Sequence, residues 1–455
     1  MLVILSLGEV SSAEELPESP RIAALRVAAP QERDGATRYF WDAVSKGGTP
    51  LVDLLEGGSR IRVTFVLRAP VPAGSSDDES DAALRNSGLI GSFVPGGSRT
   101  LARFERVPGT DVLQKSFVLD ARSRYRYYLA WPQGRQPDAQ AVSRLELDGL
   151  GYELFADPLA SRSFLDDFGG RAVRNSYFEG PSAPPEPWLD RRESTARGEV
   201  TTLEVASRIL ANTRKVSIYA PPGFRSNGGR AKDGSSGARS GAAGFPFVLL
   251  FDREAYLQSV PTAAILDHLI DGKVIPPLFV IFVSPIDEAH RGVELPPNPA
   301  FASFIADELV PQIRRRWPVS RDPRRAIVAG SSYGGLAAAN IARLHPRVFG
   351  NVLSMSGSYW WHPSRSPNDD DVASDAESGW LPRQYAASTR LPLRFYLCVG
   401  LGEGDGMLAP NRRFRDVLTA RGYALRYDEF HGDHSYLNWR DSLVAGLQYL
   451  LESVP

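Results

Sequence analysis

Val328-Ala-Gly-Ser-Ser-Tyr-Gly-Gly335 is the stretch on which the reading of this chain turns. The apolar Ala326-Ile-Val-Ala329 leads into it and Leu336-Ala-Ala-Ala-Asn-Ile-Ala-Arg343 follows, an order that predicts strand, sharp turn, helix. Within it, Gly330-Ser331-Ser332-Tyr333-Gly334 fits the pattern Gly-x-Ser-x-Gly. A serine in such a turn adopts a strained backbone, and its neighbours are glycines because any larger side chain would meet the adjoining strand and helix. Ser332 is therefore the candidate nucleophile. Its oxygen would stand at a helix N-terminus, where the backbone NH of Tyr333 and the helix dipole favour an oxyanion. The pattern alone is weak, since Gly234-Ser-Ser-Gly-Ala238, in a linker-like stretch, comes one residue short of it.

The flanking sequence supplies the context. From about residue 199, the apolar runs Lys215–Tyr219, Phe247–Phe251, Leu278–Val283, Ala326–Ala329, Val352–Met355 and Phe395–Val399 read as strands buried on both faces of a sheet. Helical patterns such as Ala300–Arg316 and Asn411–Arg421 lie between them, which predicts a doubly wound α/β domain. A serine nucleophile needs a base and a group that orients it, in the chain order nucleophile, acid, base. Of six histidines, His431 and His434 follow the last predicted strand, Leu425–Phe430, and precede a closing helix over Leu437–Glu452. His434 lies deeper in that loop, after Gly432, and is the preferred base. The acid is expected after Val399, where Gly400-Leu-Gly-Glu-Gly-Asp-Gly406 offers Glu403, the preferred residue, and Asp405. A second oxyanion donor is expected after Phe251, at the backbone NH of Arg253.

Composition narrows the alternatives. The chain has 455 residues, 43% hydrophobic and 23% charged, with 52 basic against 53 acidic side chains. That balance argues against a nucleic-acid surface built on bulk charge and favours a small-molecule partner. The single cysteine, Cys398, excludes an internal disulfide and any multi-cysteine metal site, and reads as core. No metal is expected in the protein. No run reaches the eighteen or so apolar residues of a membrane span. Leu2–Leu7 with Ser11-Ser-Ala13 resembles a shortened export signal without its basic region, which leaves a periplasmic or secreted location open.

Residues 1–35 read as a leader, 36–160 as an all-β, immunoglobulin-like sandwich, 161–198 as a proline-rich linker and 199–455 as the catalytic α/β-hydrolase domain. Period-two alternation over Arg60–Leu67 and Arg124–Trp131 carries the sandwich, Gly74–Asp81 reads as an exposed acidic loop, and Arg225–Gly244 as an insertion.

Several longer strings carry a resemblance. Leu250-Phe-Asp-Arg-Glu254, Asp287-Glu-Ala-His-Arg-Gly-Val-Glu-Leu295 with Asn298, Ser356-Gly-Ser-Tyr-Trp-Trp361, Asn411-Arg-Arg-Phe-Arg415 and Gly432–Arg440 resemble the enterochelin (enterobactin) esterases. So do Trp41, Gly48-Thr-Pro-Leu51, Pro108-Gly-Thr-Asp111 and Asp157-Pro158 in the N-terminal half. The resemblance implies a cytoplasmic serine esterase that cuts the trilactone of a ferric catecholate siderophore, with iron arriving only as part of the substrate and no cofactor. It places Ser332, His434 and Glu403 in the catalytic positions, and Arg291, Trp360 and Trp361 beside the substrate. A guanidinium and indoles suit a trianion with aromatic faces. Arg291 could equally form a structural ion pair with Glu294. The fold and triad are also compatible with an esterase or acyltransferase for another aromatic or sugar ester. The chain departs from the family pattern in three places. Arg253 stands where glycine is usual, Gly432-Asp-His-Ser435 stands for Gly-Gly-His-Asp, and the insertion is long.

Overall fold

The computed structural model describes residues 18–69, 87–97, 100–132, 145–146, 152–168, 171–190, 194–224, 244–364 and 379–452. The acidic run 74–81, the N-terminal stretch 2–13 and the insertion up to residue 243 lie outside the described residues. The chain divides into two compact units, Met1–Ser163 with Asn175–Ala183, and Phe164–Arg174 with Pro184–Pro455.

The second unit is built on eight strands: β1 (Glu199–Ser207), β2 (Asn212–Ala220), β3 (Phe247–Phe251), β4 (Phe279–Val283), β5 (Ala326–Ser331), β6 (Asn351–Met355), β7 (Arg394–Gly400) and β8 (Ala424–Phe430). Their order is β1-β2-β4-β3-β5-β6-β7-β8. β2 pairs antiparallel with β1 and β4, and the remaining neighbours run parallel. Strand pleating explains the unbroken apolar runs. In β3, Phe247, Leu249 and Phe251 join the core on one face while Val248 and Leu250 join the core on the other.

Helices cover both faces. On one side lie α1 (Arg253–Gln258), α2 (Thr262–Asp271) and, at the end of the chain, α9 (Tyr436–Leu451). On the other lie α4 (Pro299–Ser303), α5 (Val310–Arg316), α6 (Tyr333–Leu344), α7 (Trp380–Ala387) and α8 (Asp405–Ala420), and the short α3 (Glu288–Glu294) precedes α4. The helix expected over Ala300–Arg316 contains a π turn at Phe304–Leu309 just before Pro311, whose missing N–H removes a donor from the helical ladder.

The first unit corrects two expectations. Helices Pro20–Val27 and Arg33–Gly47 accompany its strands, so it is not all-β, and part of the presumed leader belongs to its fold. Ile22 and Leu25 pack with Phe40, Trp41 and Val44, the i, i+3, i+4 spacing of a helical stripe. The presumed linker 161–198 contains strands Ser163–Phe168 and Arg171–Glu179, and Ser176–Glu179 pairs antiparallel with Arg124–Tyr127. Its prolines at 181–187 lie beyond those strands, so they mark the boundary later than 161. Two antiparallel sheets enclose one core containing Ile61, Phe65, Phe117, Tyr127 and Phe178. Asp157 ties this unit's corners, accepting from the Thr49 hydroxyl at 2.5 Å and the Tyr127 hydroxyl at 2.8 Å. The Trp41 indole donates to Asp111 at 2.7 Å.

Among the described residues no helix is long and apolar enough to cross a membrane. Cys398 is buried in β7, and burial pushes its thiol up to about 12. We expect Ellman's reagent to leave native Cys398 unmodified and to titrate one thiol per chain only after denaturation; stoichiometric labelling of the native protein would contradict this packing.

Candidate active site

The candidate residues collect at the C-terminal ends of parallel strands, where an open α/β sheet leaves a crevice. β5 ends at Ser331, α6 begins at Tyr333, and Ser332 between them has φ 57 and ψ −122. That conformation is held by its surroundings. The Ser332 amide donates to Met355 O at 2.9 Å, and its carbonyl accepts from Ser358 N at 3.1 Å. A Cβ on Gly330 would lie 2.5 Å from the Gly334 backbone, and one on Gly335 would lie 2.5 Å from Ser354 Oγ. Gly330 is therefore a steric necessity, whereas at Gly335 the Ser354 hydroxyl would have to turn away, and at Gly334, contrary to the expectation for that motif position, a Cβ would meet nothing nearer than 3.5 Å. Ser332 Oγ stands 3.4 Å from Ser358 Oγ, a neighbour that sequence reasoning did not single out.

Of the two carboxylates after β7, Glu403 is the one facing inward. Its Oε2 lies 2.6 Å from His434 Nδ1, while Asp405 starts α8 and is exposed. Glu403 Oε1 accepts from the Gly400 amide and the Ser356 hydroxyl, each at 2.6 Å. The Glu403 side chain is 0% exposed, against 36% for His434. Ser356 has φ 47, and the Trp439 indole donates to its oxygen at 2.9 Å. A carboxylate at Nδ1 places that ring proton and leaves Nε2 as the basic nitrogen. His434 packs edge-on against Trp439 at 4.7 Å. In the same loop Asp433 turns inward and accepts from Asn438 Nδ2 at 2.7 Å and from the Ser435 hydroxyl.

Arg291 does not pair with Glu294. Its guanidinium grips Asp252 through two bonds, Nε to Oδ1 at 2.7 Å and Nη2 to Oδ2 at 2.9 Å. Burial opposes the Arg291 charge, and the Asp252 carboxylate outweighs it and raises the group above its ordinary range. Glu294 instead forms a buried bidentate pair with Arg214 at 2.8 and 2.7 Å. Leu295 enters the core, and Asn298 caps α4 by accepting from Phe301 N. The string from Arg291 to Asn298 thus reads as the set of anchors that fastens α3 to the sheet.

Residues 207–450 match a family described as "Putative esterase", and residues 62–189 match "Enterochelin esterase, N-terminal". The iron(III) enterobactin esterase of Dickeya dadantii strain 3937 is 29% identical over 425 residues, covering 90% of this chain and 92% of that protein. That of Escherichia coli K12 is 31% identical over 352 residues, covering 75% and 80%. This chain belongs to the enterochelin esterase family. The enterobactin esterase of Shigella flexneri, crystallised in the presence of enterobactin, superposes with a TM-score of 0.70 at 28% identity, covering 92% of this chain and 98% of that one.

As an enterochelin esterase, the chain hydrolyses ester bonds. Arg253 follows Asp252 at the start of α1, and its side chain is drawn onto the sheet by Ser217 Oγ at 2.6 Å and Thr202 Oγ1 at 3.3 Å, with Glu254 at 2.7 Å. The two tryptophans differ. Trp360 lies 5.7 Å from the Tyr333 ring and donates to Met407 Sδ at 3.1 Å. Trp361 packs edge-on to Trp380 and against the main core.

The inward turn of Glu403 is testable by steady-state hydrolysis of p-nitrophenyl butyrate. Glu403→Gln removes the charge opposite His434 and is expected to lower kcat by about 10³–10⁴-fold. Asp405→Asn, at an exposed helix start, is expected to stay within about twofold. The reverse ranking would transfer the orienting role to Asp405.

Proposed function

We propose that this chain is a metal-independent serine esterase that opens the seryl ester bonds of a ferric catecholate trilactone siderophore. Ser332 is the nucleophile, His434 the base and Glu403 the group that orients it. The observation carrying the assignment is the buried Glu403 carboxylate on His434 Nδ1, at the same strand ends as a serine held in the elbow conformation. His434 Nε2 takes the Ser332 proton as the serine oxygen attacks the ester carbonyl. The backbone amides of Tyr333 and Arg253 then hold the oxyanion, each worth about 10²–10³ in rate. Collapse expels a seryl alkoxide that takes the proton from His434, and water releases the acyl group by the same steps.

The substrate class follows from the family's relatives, which are iron(III) enterobactin esterases. Trp360, beside Tyr333 at the nucleophile, suits a catechol ring, and iron enters as cargo of the substrate. The strand order of the second unit supports an α/β-hydrolase fold, and the paired antiparallel sheets of the first support an immunoglobulin-like sandwich carrying two helices.

Mass spectrometry of products from iron-loaded and iron-free enterobactin tests the substrate. Linear oligomers and monomers of dihydroxybenzoylserine are expected, with none from Ser332→Ala, whose circular dichroism should match the parent. Turnover of a feruloyl ester in preference to either siderophore would overturn the substrate class, and esterase activity retained in Ser332→Ala would overturn the nucleophile.

A further inference from the structure

The β3–α1 turn holds the Arg253 amide, and its backbone is unusual. Asp252, between strand and helix, has φ 58 and ψ 55, the left-handed region that Asp enters more readily than most residues other than glycine but still at a cost. Asp252 stands at the N-cap of α1, yet its side chain caps nothing in that helix. Both carboxylate oxygens go to Arg291 instead, at 2.7 and 2.9 Å. The same carboxylate abuts the elbow, since Oδ2 lies 3.5 Å from the place a Cβ on Gly334 would occupy.

We propose that Arg291 and Asp252 form a charge-neutral clamp that sets the β3–α1 turn and aims the Arg253 amide at the oxyanion, so that Arg291 is a positioning residue and not a contact for the substrate's charge. The inference rests on the assignment of the Arg253 amide as an oxyanion donor. Two physical needs meet in the pair. The forked guanidinium fixes the plane of the carboxylate and with it the rotation of the Asp252 backbone. It also cancels a negative charge that would otherwise stand beside the elbow and oppose the negative charge of the transition state. Arg291 is itself held from behind. Its side chain is 17% exposed, and α3 is capped by Asp287 at one end and anchored at the other by the buried Glu294–Arg214 pair. With its fork engaged by Asp252 and Glu288 3.7 Å away, the guanidinium offers little net charge to a trianion.

The test measures kcat and KM on two esters, neutral p-nitrophenyl butyrate and trianionic ferric enterobactin, for Arg291→Ala, Arg291→Lys and the double variant Arg291→Ala/Asp252→Asn. A clamp predicts that Arg291→Ala lowers kcat on both esters on the order of 10–100-fold with little change in KM. It predicts that the double variant, which leaves no unpaired carboxylate, recovers several-fold of that loss, and that Arg291→Lys, keeping charge without the fork, falls between. A rise in KM confined to ferric enterobactin, with kcat on the neutral ester intact, would overturn the clamp and make Arg291 a substrate contact. A double variant no better than Arg291→Ala would overturn it too. If Arg291→Ala does not fold, the lysine and double variants carry the same comparison. Fluorophosphonate labelling of Ser332 in the parent separates the two levels: no labelling would refute the nucleophile itself, whereas labelling in every variant with the kinetic pattern absent refutes only the clamp.

Discussion

A carboxylate buried away from water is costly unless its oxygens find donors, and the C-terminal end of this sheet is organised around one. Glu403 is shielded from water, and isolated burial of such a group would cost several kcal/mol. The Gly400 amide, the Ser356 hydroxyl and His434 Nδ1 together replace its hydration. Each places a demand on the surrounding chain. Gly400 must be glycine, because a Cβ there would lie 2.6 Å from Gly432 O and 2.8 Å from Glu403 Oε1. Ser356 must take a positive φ, and Trp439 must reach across from α9 to hold its hydroxyl. Gly432 must leave room for Asn438, whose amide in turn satisfies Asp433.

Packed rings join the Glu403–His434 pair to α1, which follows β3. His434 rests on Trp439, Trp439 meets Tyr436 at 5.0 Å, and Tyr436 meets Tyr256 of α1 at 5.4 Å, all nearly perpendicular. Tyr256 reaches Met355 Sδ at 3.9 Å, and the carbonyl of Met355 receives the Ser332 amide. Edge-to-face contacts of this kind add roughly 0.5–1.5 kcal/mol each beyond area burial. More to the point, they leave no slack between the loops after β3, β5, β7 and β8, which a reaction sensitive to sub-ångström displacement requires.

Asp433, just before His434, is held within the turn by Ser435 and Asn438, which both donate to it. The Arg253 side chain is drawn onto the sheet by Ser217 and Thr202. Each polar or apolar residue of the Arg-x-x-Glu-Leu-x-x-Asn string has an anchor within the fold: Arg291 on Asp252, Glu294 on Arg214, Leu295 in the core and Asn298 at the start of α4.

What the sequence determined by itself is whatever short-range physics dictates. The elbow, the strands buried on both faces, the closing helix and the rank of His434 over His431 follow from residue size, periodicity and chain order within a few positions. The same local reading set the bounds of the N-terminal domain differently from the compact unit observed, because the helical stripes at Ile22–Leu25 and Phe40–Val44 are short and the prolines at 181–187 mask the strand just before them. Glu403 is already the preferred acid in the sequence, although it and Asp405 both sit among glycines and nothing local separates them sharply. The tertiary structure turns Glu403 toward a histidine 31 residues away and leaves Asp405 exposed. It likewise matched Arg291 with Asp252, 39 positions distant, and Glu294 with Arg214, 80 positions distant. A buried charge takes the partner that packing delivers, and packing is a property of the whole sheet, which no window of sequence contains.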